Sequence, residues 1–257
     1  MKENILLAFS FAKRDFREKY VGTSLGQFWY ILSPLIMIFI YTVVFSDFMK
    51  MKLAIVDNSY AYSIHLVPAL LAWTTFSTTL IRLNNSFFEK AHLIKKINIP
   101  MYTFQLSIVL TELFLFVISM LLGIGFLVLV HQPVTLTFLW LIPLMLLQSI
   151  FALGLGVIFS LFTPFFKDLK EIVPIIIQLW FWITPIIYLK EMLEKKYPFL
   201  LTYNPFFYFS NAYQNIFLYS KAPSLKAIVV MLILSTISIV VAGYLYKKMI
   251  GTIKDII

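Results

Sequence analysis

From Leu113 to Phe166 the chain runs for 54 residues without an Asp, Glu, Lys or Arg. One membrane crossing needs roughly 20 apolar residues, so this run exceeds twice what a single span requires. It must therefore fold back on itself as two spans, and its natural turn is His131-Gln132-Pro133. The third span is expected near Met101 to Val130 and the fourth near Leu136 to Leu161. Lipid is the main solvent of such a chain. The composition agrees, with 61% hydrophobic and 13% charged residues, where a soluble domain has about a quarter charged. The chain lacks cysteine, which excludes disulfides, thiol catalysis and Cys-ligated metals.

The remaining apolar runs extend the pattern to a single all-α integral membrane domain over 1–257, with six transmembrane helices. Ile5, Phe9, Ala12, Phe16 and Tyr20 recur every three or four positions while Lys13, Arg14, Arg17 and Lys19 take other faces. That periodicity predicts an amphipathic interface helix within 1–24, lying in the membrane plane. No secretory signal pattern is seen, so the first span, about Phe28 to Phe45, is expected to stay as an anchor. Ser59 to Ile81 is the second span, ended by Arg82. The charged segment 84–100 is patterned as a short helix between spans two and three. Ile172 to Leu189 makes the fifth span, with Pro174 and Pro185 bending its ends, and Ala227 to Tyr246 the sixth, ended by Lys247 and Lys248. Between these two, 190–226 carries ten aromatics from Tyr197 to Tyr219. It is too polar to span and too apolar for free solution, which suits re-entrant or interfacial outer helices meeting at Asn204-Pro205.

The formal charge of +9 is spread between apolar runs rather than gathered in one arm, so topology and anionic headgroups explain it and nucleic acid does not. With both termini inside, the inner segments hold 14 Lys and Arg and the outer ones seven. The positive-inside rule thus makes both termini cytoplasmic.

Signatures of catalysis are missing. There is no G-x-x-x-x-G-K-[ST], so ATP hydrolysis needs a partner, and no H-E-x-x-H, G-x-S-x-G or paired acidic motif. No cofactor, metal site or catalytic residue is expected; His65, His92 and His131 all lie near span ends, where snorkelling explains them. Glu112 is the one acid inside a predicted span. It is either functional, or solvated near the headgroups or paired with Arg82 or a lysine of the second connection. Tyr30, Met37, Tyr41 and Phe45 share a face of span one, and Trp180, Phe181, Trp182 and Tyr188 crowd span five. These aromatics suit stacking on sugar rings along a channel, or an interfacial belt or core, which is the more common setting for them.

Arg14-Asp15, Arg17, Tyr20, Ser24-Leu25-Gly26, Trp29 and Pro34 follow one another in an order that, with one spacing difference after the tyrosine, is similar to R-D-x-x-x-[RK]-Y-x-x-S-x-L-G-x-x-W-x-x-x-x-P. That opening belongs to the ABC-2 type permeases that export polysaccharides, including O-antigen and teichoic-acid transporters, and the resemblance extends over nearly the whole chain. Asn85 with Leu93-Ile94-Lys95-Lys96-Ile97-Asn98-Ile99-Pro100 resembles that family's cytoplasmic coupling segment, and Lys167-Asp168, Thr184-Pro185 with Tyr188, and Asn204-Pro205-Phe206 resemble later motifs. The resemblance implies a homodimer with a central channel and two nucleotide-binding ATPase subunits. Glu89, Lys90, His92, Leu93, Ile94, Lys95 and Lys96 would then form the coupling helix.

The leading expectation is a transporter subunit, not an enzyme, in the cytoplasmic (inner) membrane, exporting a lipid-linked, O-antigen-like polysaccharide. The alternative is an ABC-2 exporter of teichoic acid or of a small hydrophobic compound. A membrane-embedded transferase should show acids or histidines clustered at one membrane face, and none cluster. An ATP-independent carrier should show an inverted repeat and intramembrane charge.

Overall fold

The computed structural model describes residues 2–48, 59–89 and 100–256. Every regular element among them is helical. In chain order these are α1 (Lys2–Glu18), α2 (Trp29–Thr42), α3 (Ala61–Glu89), α4 (Tyr102–Leu129), α5 (Leu141–Phe162), α6 (Leu169–Ile183), α7 (Lys190–Lys196), α8 (Pro198–Tyr203), α9 (Pro205–Tyr219) and α10 (Leu225–Ile256). Tight turns at Gly26–Phe28 and Leu136–Trp140 lead into α2 and α5, and a wider π-helical turn at Val43–Phe48 continues α2.

α3 is the axis of the bundle. Ile64, Leu66, Leu80 and Leu83 have no exposed surface, and α4, α5, α6 and α9 all pack on this helix. A helix covered nearly all round must be largely apolar, and several of its polar groups tie it to its neighbours. Asn84 accepts a hydrogen bond from Thr163 Oγ1 (2.7 Å) and donates to the Leu169 carbonyl (3.1 Å), tying α3 to the α5–α6 turn. Gln148 of α5 donates to the Ala72 carbonyl at 2.9 Å. α5 itself is held between α3 and α10 at close range. A Cβ on Gly154 would overlap the Ser238 backbone, and one on Gly156 would overlap the Leu83 side chain. Small residues at such crossings let helix backbones approach where lipid offers little driving force for association.

Five helical segments among the described residues are long and apolar enough to cross a membrane: Gly26–Ser46, Ala61–Glu89, Tyr102–Leu129, Leu136–Phe162 and Leu225–Ile253. Four correspond to predicted spans one to four, and the last to predicted span six. The fifth prediction, Ile172 to Leu189, is helical only to Ile183. Thr184 is extended (φ −90°, ψ 131°) because it precedes Pro185, which disfavours helical geometry in the residue before it.

Two helices run on past the predicted ends of their spans. Arg82 does not end α3, because its charge is neutralised by carboxylates rather than by water. Lys247 and Lys248 lie inside α10, which runs on to Ile256. The 29 residues of α3 and 28 of α4 measure about 43 and 42 Å at ~1.5 Å per residue, against about 30 Å of hydrocarbon. Both helices are therefore longer than the apolar layer is thick, and their ionised residues Arg82 and Glu112 lie toward the α1 side.

The segment predicted to re-enter folds as α7, α8 and α9. α9 begins beside Trp73 and Phe76, half-way along α3 (Phe206 ring centroids 4.8 and 4.7 Å away), and in its last turn the Leu218 carbonyl accepts from Gln132 in the α4–α5 turn (3.0 Å). Phe206, Phe209, Tyr213, Ile216 and Phe217 are wholly buried along it.

Candidate functional site

Two polar clusters and a set of aromatics of differing exposure are the candidates for function. The first cluster joins α1, α3 and α4. Glu112 is 4% exposed and its Oε1 accepts from Arg82 Nη1 at 2.5 Å. Arg82 Nη2 donates to both oxygens of Asp15, at 2.8 and 2.6 Å, and Lys19 Nζ lies 3.4 Å from the same Glu112 oxygen. A planar guanidinium is the side chain suited to bridging two carboxylates in different directions. Two acids and two bases thus balance inside the structure. α1 is further fixed by Thr111 Oγ1 donating to the Ala12 carbonyl (3.3 Å) and by Tyr30 OH donating to the Phe16 carbonyl (2.6 Å).

The expected pairing of Glu112 with Arg82 is present. Lys19 completes it from α1 rather than from the second connection. Asp15 and Lys19 were not singled out as partners in the sequence; the available signal was an acid within a basic amphipathic helix.

The second cluster is neutral and sits where α6 breaks. Asn204 Oδ1 accepts from Trp180 Nε1 (2.8 Å) and from the Phe206 backbone N–H (3.1 Å), while its Nδ2 donates to Thr184 Oγ1 (2.9 Å). One side chain therefore caps α9 and holds the end of α6. Gln214 Nε2 donates to the Pro185 carbonyl (3.2 Å), and the Tyr62 hydroxyl donates to the Ile187 carbonyl. Backbone groups freed by the break at Pro185 are satisfied by α3 and α9, as an apolar setting requires. Asn204-Pro205 was legible as a helix break, but its role as the joint between α6 and α9 was not.

The proposed channel aromatics fall into different settings. Tyr30 is 6% exposed, its ring stacked on Phe16 and edge-on to Tyr20 beneath α1. Tyr41 and Phe45 stack on each other and are half-buried. Trp180 is tethered to Asn204 and packs edge-on to Trp73 and Phe76, and Phe181 touches Trp73. Tyr188 donates to the Trp182 carbonyl at 2.8 Å, and Trp182 is 59% exposed. Phe39 of α2 and Ile175 and Leu179 of α6 are also exposed. In the expected coupling segment, Glu89 is the exposed last residue of α3; Lys90, His92, Leu93, Ile94, Lys95 and Lys96 lie outside the described residues. Among the described residues no group of His, Cys, Asp or Glu is arranged to hold a metal ion.

Residues 7–218 match the family model described as ABC-2 type transporter. Two relatives from Klebsiella pneumoniae, each named O-antigen export system permease protein RfbA, are 32% identical over 193 residues, covering 75% of this chain and 72% of theirs. A protein of the same name from Myxococcus xanthus is 25% identical over 244 residues, 94% of this chain and 92% of its own.

Proposed function

This chain belongs to the ABC-2 type transporter family, and from that premise we propose that it is the permease subunit of an exporter that carries a lipid-linked, O-antigen-like polysaccharide across the cytoplasmic (inner) membrane. The observation that carries this reading is the similarity to O-antigen export permeases over three quarters or more of the chain. ATP hydrolysis belongs to two separate nucleotide-binding subunits, since the sequence has no phosphate-binding loop. The segment from Glu89 to Lys96 couples the permease to them, as its resemblance to the family's coupling segment suggests.

Two copies of the chain enclose the channel. Supporting this, α2 and α6 leave Phe39, Ile175, Leu179 and Trp182 uncovered, an apolar extent that in a membrane faces either lipid or a second protein. Trp182, beside Phe181 and Tyr188, and the stacked pair Tyr41 and Phe45 offer sugar rings flat apolar contact without fixing the polymer; Tyr30 and Trp180 serve as packing. The fifth of six crossings is made by α6 together with Thr184 to Leu189, and α8–α9 re-enters from the outer side. The meeting of Phe206 with Trp73 about 18 Å along α3 from Ala61 supports that depth. Both termini are cytoplasmic, by the excess of Lys and Arg on the inner segments.

Co-purification tests the reading. Tagged permease should bring down an ATPase subunit, and charge reversal at Lys95 and Lys96 should abolish the association while leaving the permease in the membrane. A transport-competent preparation containing no ATPase would sink it.

A further inference from the structure

α1 and the middle of α4 leave a trough of about 490 Å³ between them, lined by Phe9, Phe16, Leu110, Leu113, Phe114 and Val117, with Lys13 on its wall. Its construction follows from the order of residues around α1. Ala8 and Ala12 are buried on the side that meets α4, and their small side chains bring the two backbones together. Phe9 and Phe16, seven positions apart, project next to them and roof the trough, which Phe16 closes at one end by an edge contact with Phe114 (centroids 5.2 Å). Next around the helix come Lys13 and Arg17, one turn apart on the outer rim, both exposed.

The charges on α1 are unequally used. Arg14 is paired with Glu18 (3.3 Å) and Lys19 with Glu112 (3.4 Å). Lys13 and Arg17 have no hydrogen bond or ion pair among the described residues. Two free cations thus stand together beside an apolar trough on a membrane protein. The trough suits hydrocarbon, and the rim suits one negatively charged phosphate, held by an ammonium and a guanidinium at headgroup level. A zwitterionic lipid would bring its own cation against Lys13 and Arg17.

We propose that the α1–α4 trough binds one anionic phospholipid, with an acyl chain between Phe9, Phe16 and α4 and the phosphate on Lys13 and Arg17. The bound lipid would fill the space under α1 and so brace the helix that also carries Asp15 and Lys19 into the ionic cluster. Such a lipid is a structural ligand drawn from the surrounding bilayer and is independent of what is exported.

Native mass spectrometry of the full-length chain in detergent tests this, with titrations of phosphatidylglycerol and of phosphatidylethanolamine carrying the same acyl chains. Wild-type protein should retain phosphatidylglycerol several-fold better. Lys13→Gln/Arg17→Gln should erase that preference and leave phosphatidylethanolamine retention unchanged. Because both side chains are exposed and unpaired, this variant should melt with the wild type. Lys221→Gln/Lys226→Gln removes equal charge before and at the start of α10 and should keep the preference. Val117→Trp fills the trough with the rim intact and should lower retention of both lipids. Undiminished phosphatidylglycerol binding by Lys13→Gln/Arg17→Gln overturns the proposal, as does an equal loss in the Lys221/Lys226 control. Displacement of phosphatidylglycerol by an equimolar polyprenyl phosphate would overturn it in favour of an isoprenoid carrier.

Discussion

Asp15, Lys19, Arg82 and Glu112 hold three helices together with four charges, whereas Trp180, Thr184, Asn204 and Gln214 brace the break after α6 with none. The difference follows position. The charged cluster lies toward the α1 side, where α3 and α4 outrun the hydrocarbon, and partial access to water lowers the desolvation cost of ion pairs. The neutral cluster lies at the level of Trp73 and Phe76, half-way along α3, where an ionised group is most expensive. Amides and hydroxyls can satisfy broken backbone there without that cost. The chain thus uses charge to join helices at the edge of the bilayer and neutral hydrogen bonds to join them inside it.

Exchanging the chemistry of the clusters should expose that division. The largest effect is expected from Arg82→Ala, which leaves Asp15 and Glu112 facing each other with only Lys19 nearby. Removing one partner of a buried pair costs about 3–5 kcal/mol, so thermal unfolding in detergent should fall sharply or the monodisperse fraction should vanish. An unchanged melting temperature would mean that the carboxylates are solvated. Asn204→Asp comes next. It puts a carboxylate at mid-depth, costing about 2.5–3.5 kcal/mol on an insertion scale, and the loss should exceed that of Asn204→Ala; the reverse order would refute the neutral requirement. Glu112→Gln should be mildest, about 1 kcal/mol, because Arg82 keeps Asp15 and an amide oxygen still accepts its hydrogen bond. Transport by Glu112→Gln at the wild-type rate would confine Glu112 to a structural role.

Long charge-free runs located α2 to α5 and α10, because the absence of charge over twenty residues is a strong local signal. Their ends were less legible. Arg82 reads as a boundary until Asp15, 67 residues away, is seen to accept its guanidinium, and nothing local reveals a pairing of that separation. Pro185 was visible as a bend, yet that Thr184 would end α6 became clear only with Asn204 and Gln214 waiting to receive the freed backbone. Glu112 stood out as a lone acid in an apolar stretch. The aromatics did not sort themselves, since Tyr30 and Trp182 share composition and neighbourhood while one is enclosed and the other open.

The overlap that a Cβ at Gly154 would make with Ser238, and one at Gly156 with Leu83, has a mechanical meaning. Interlocked at backbone distance, α3, α5 and α10 have no slack in which to slide past one another, since packed interiors switch between arrangements rather than stretch. They form the stator of the subunit. α2, which touches the rest along a narrow stripe, and α6, which ends at a joint of neutral hydrogen bonds, are held less tightly.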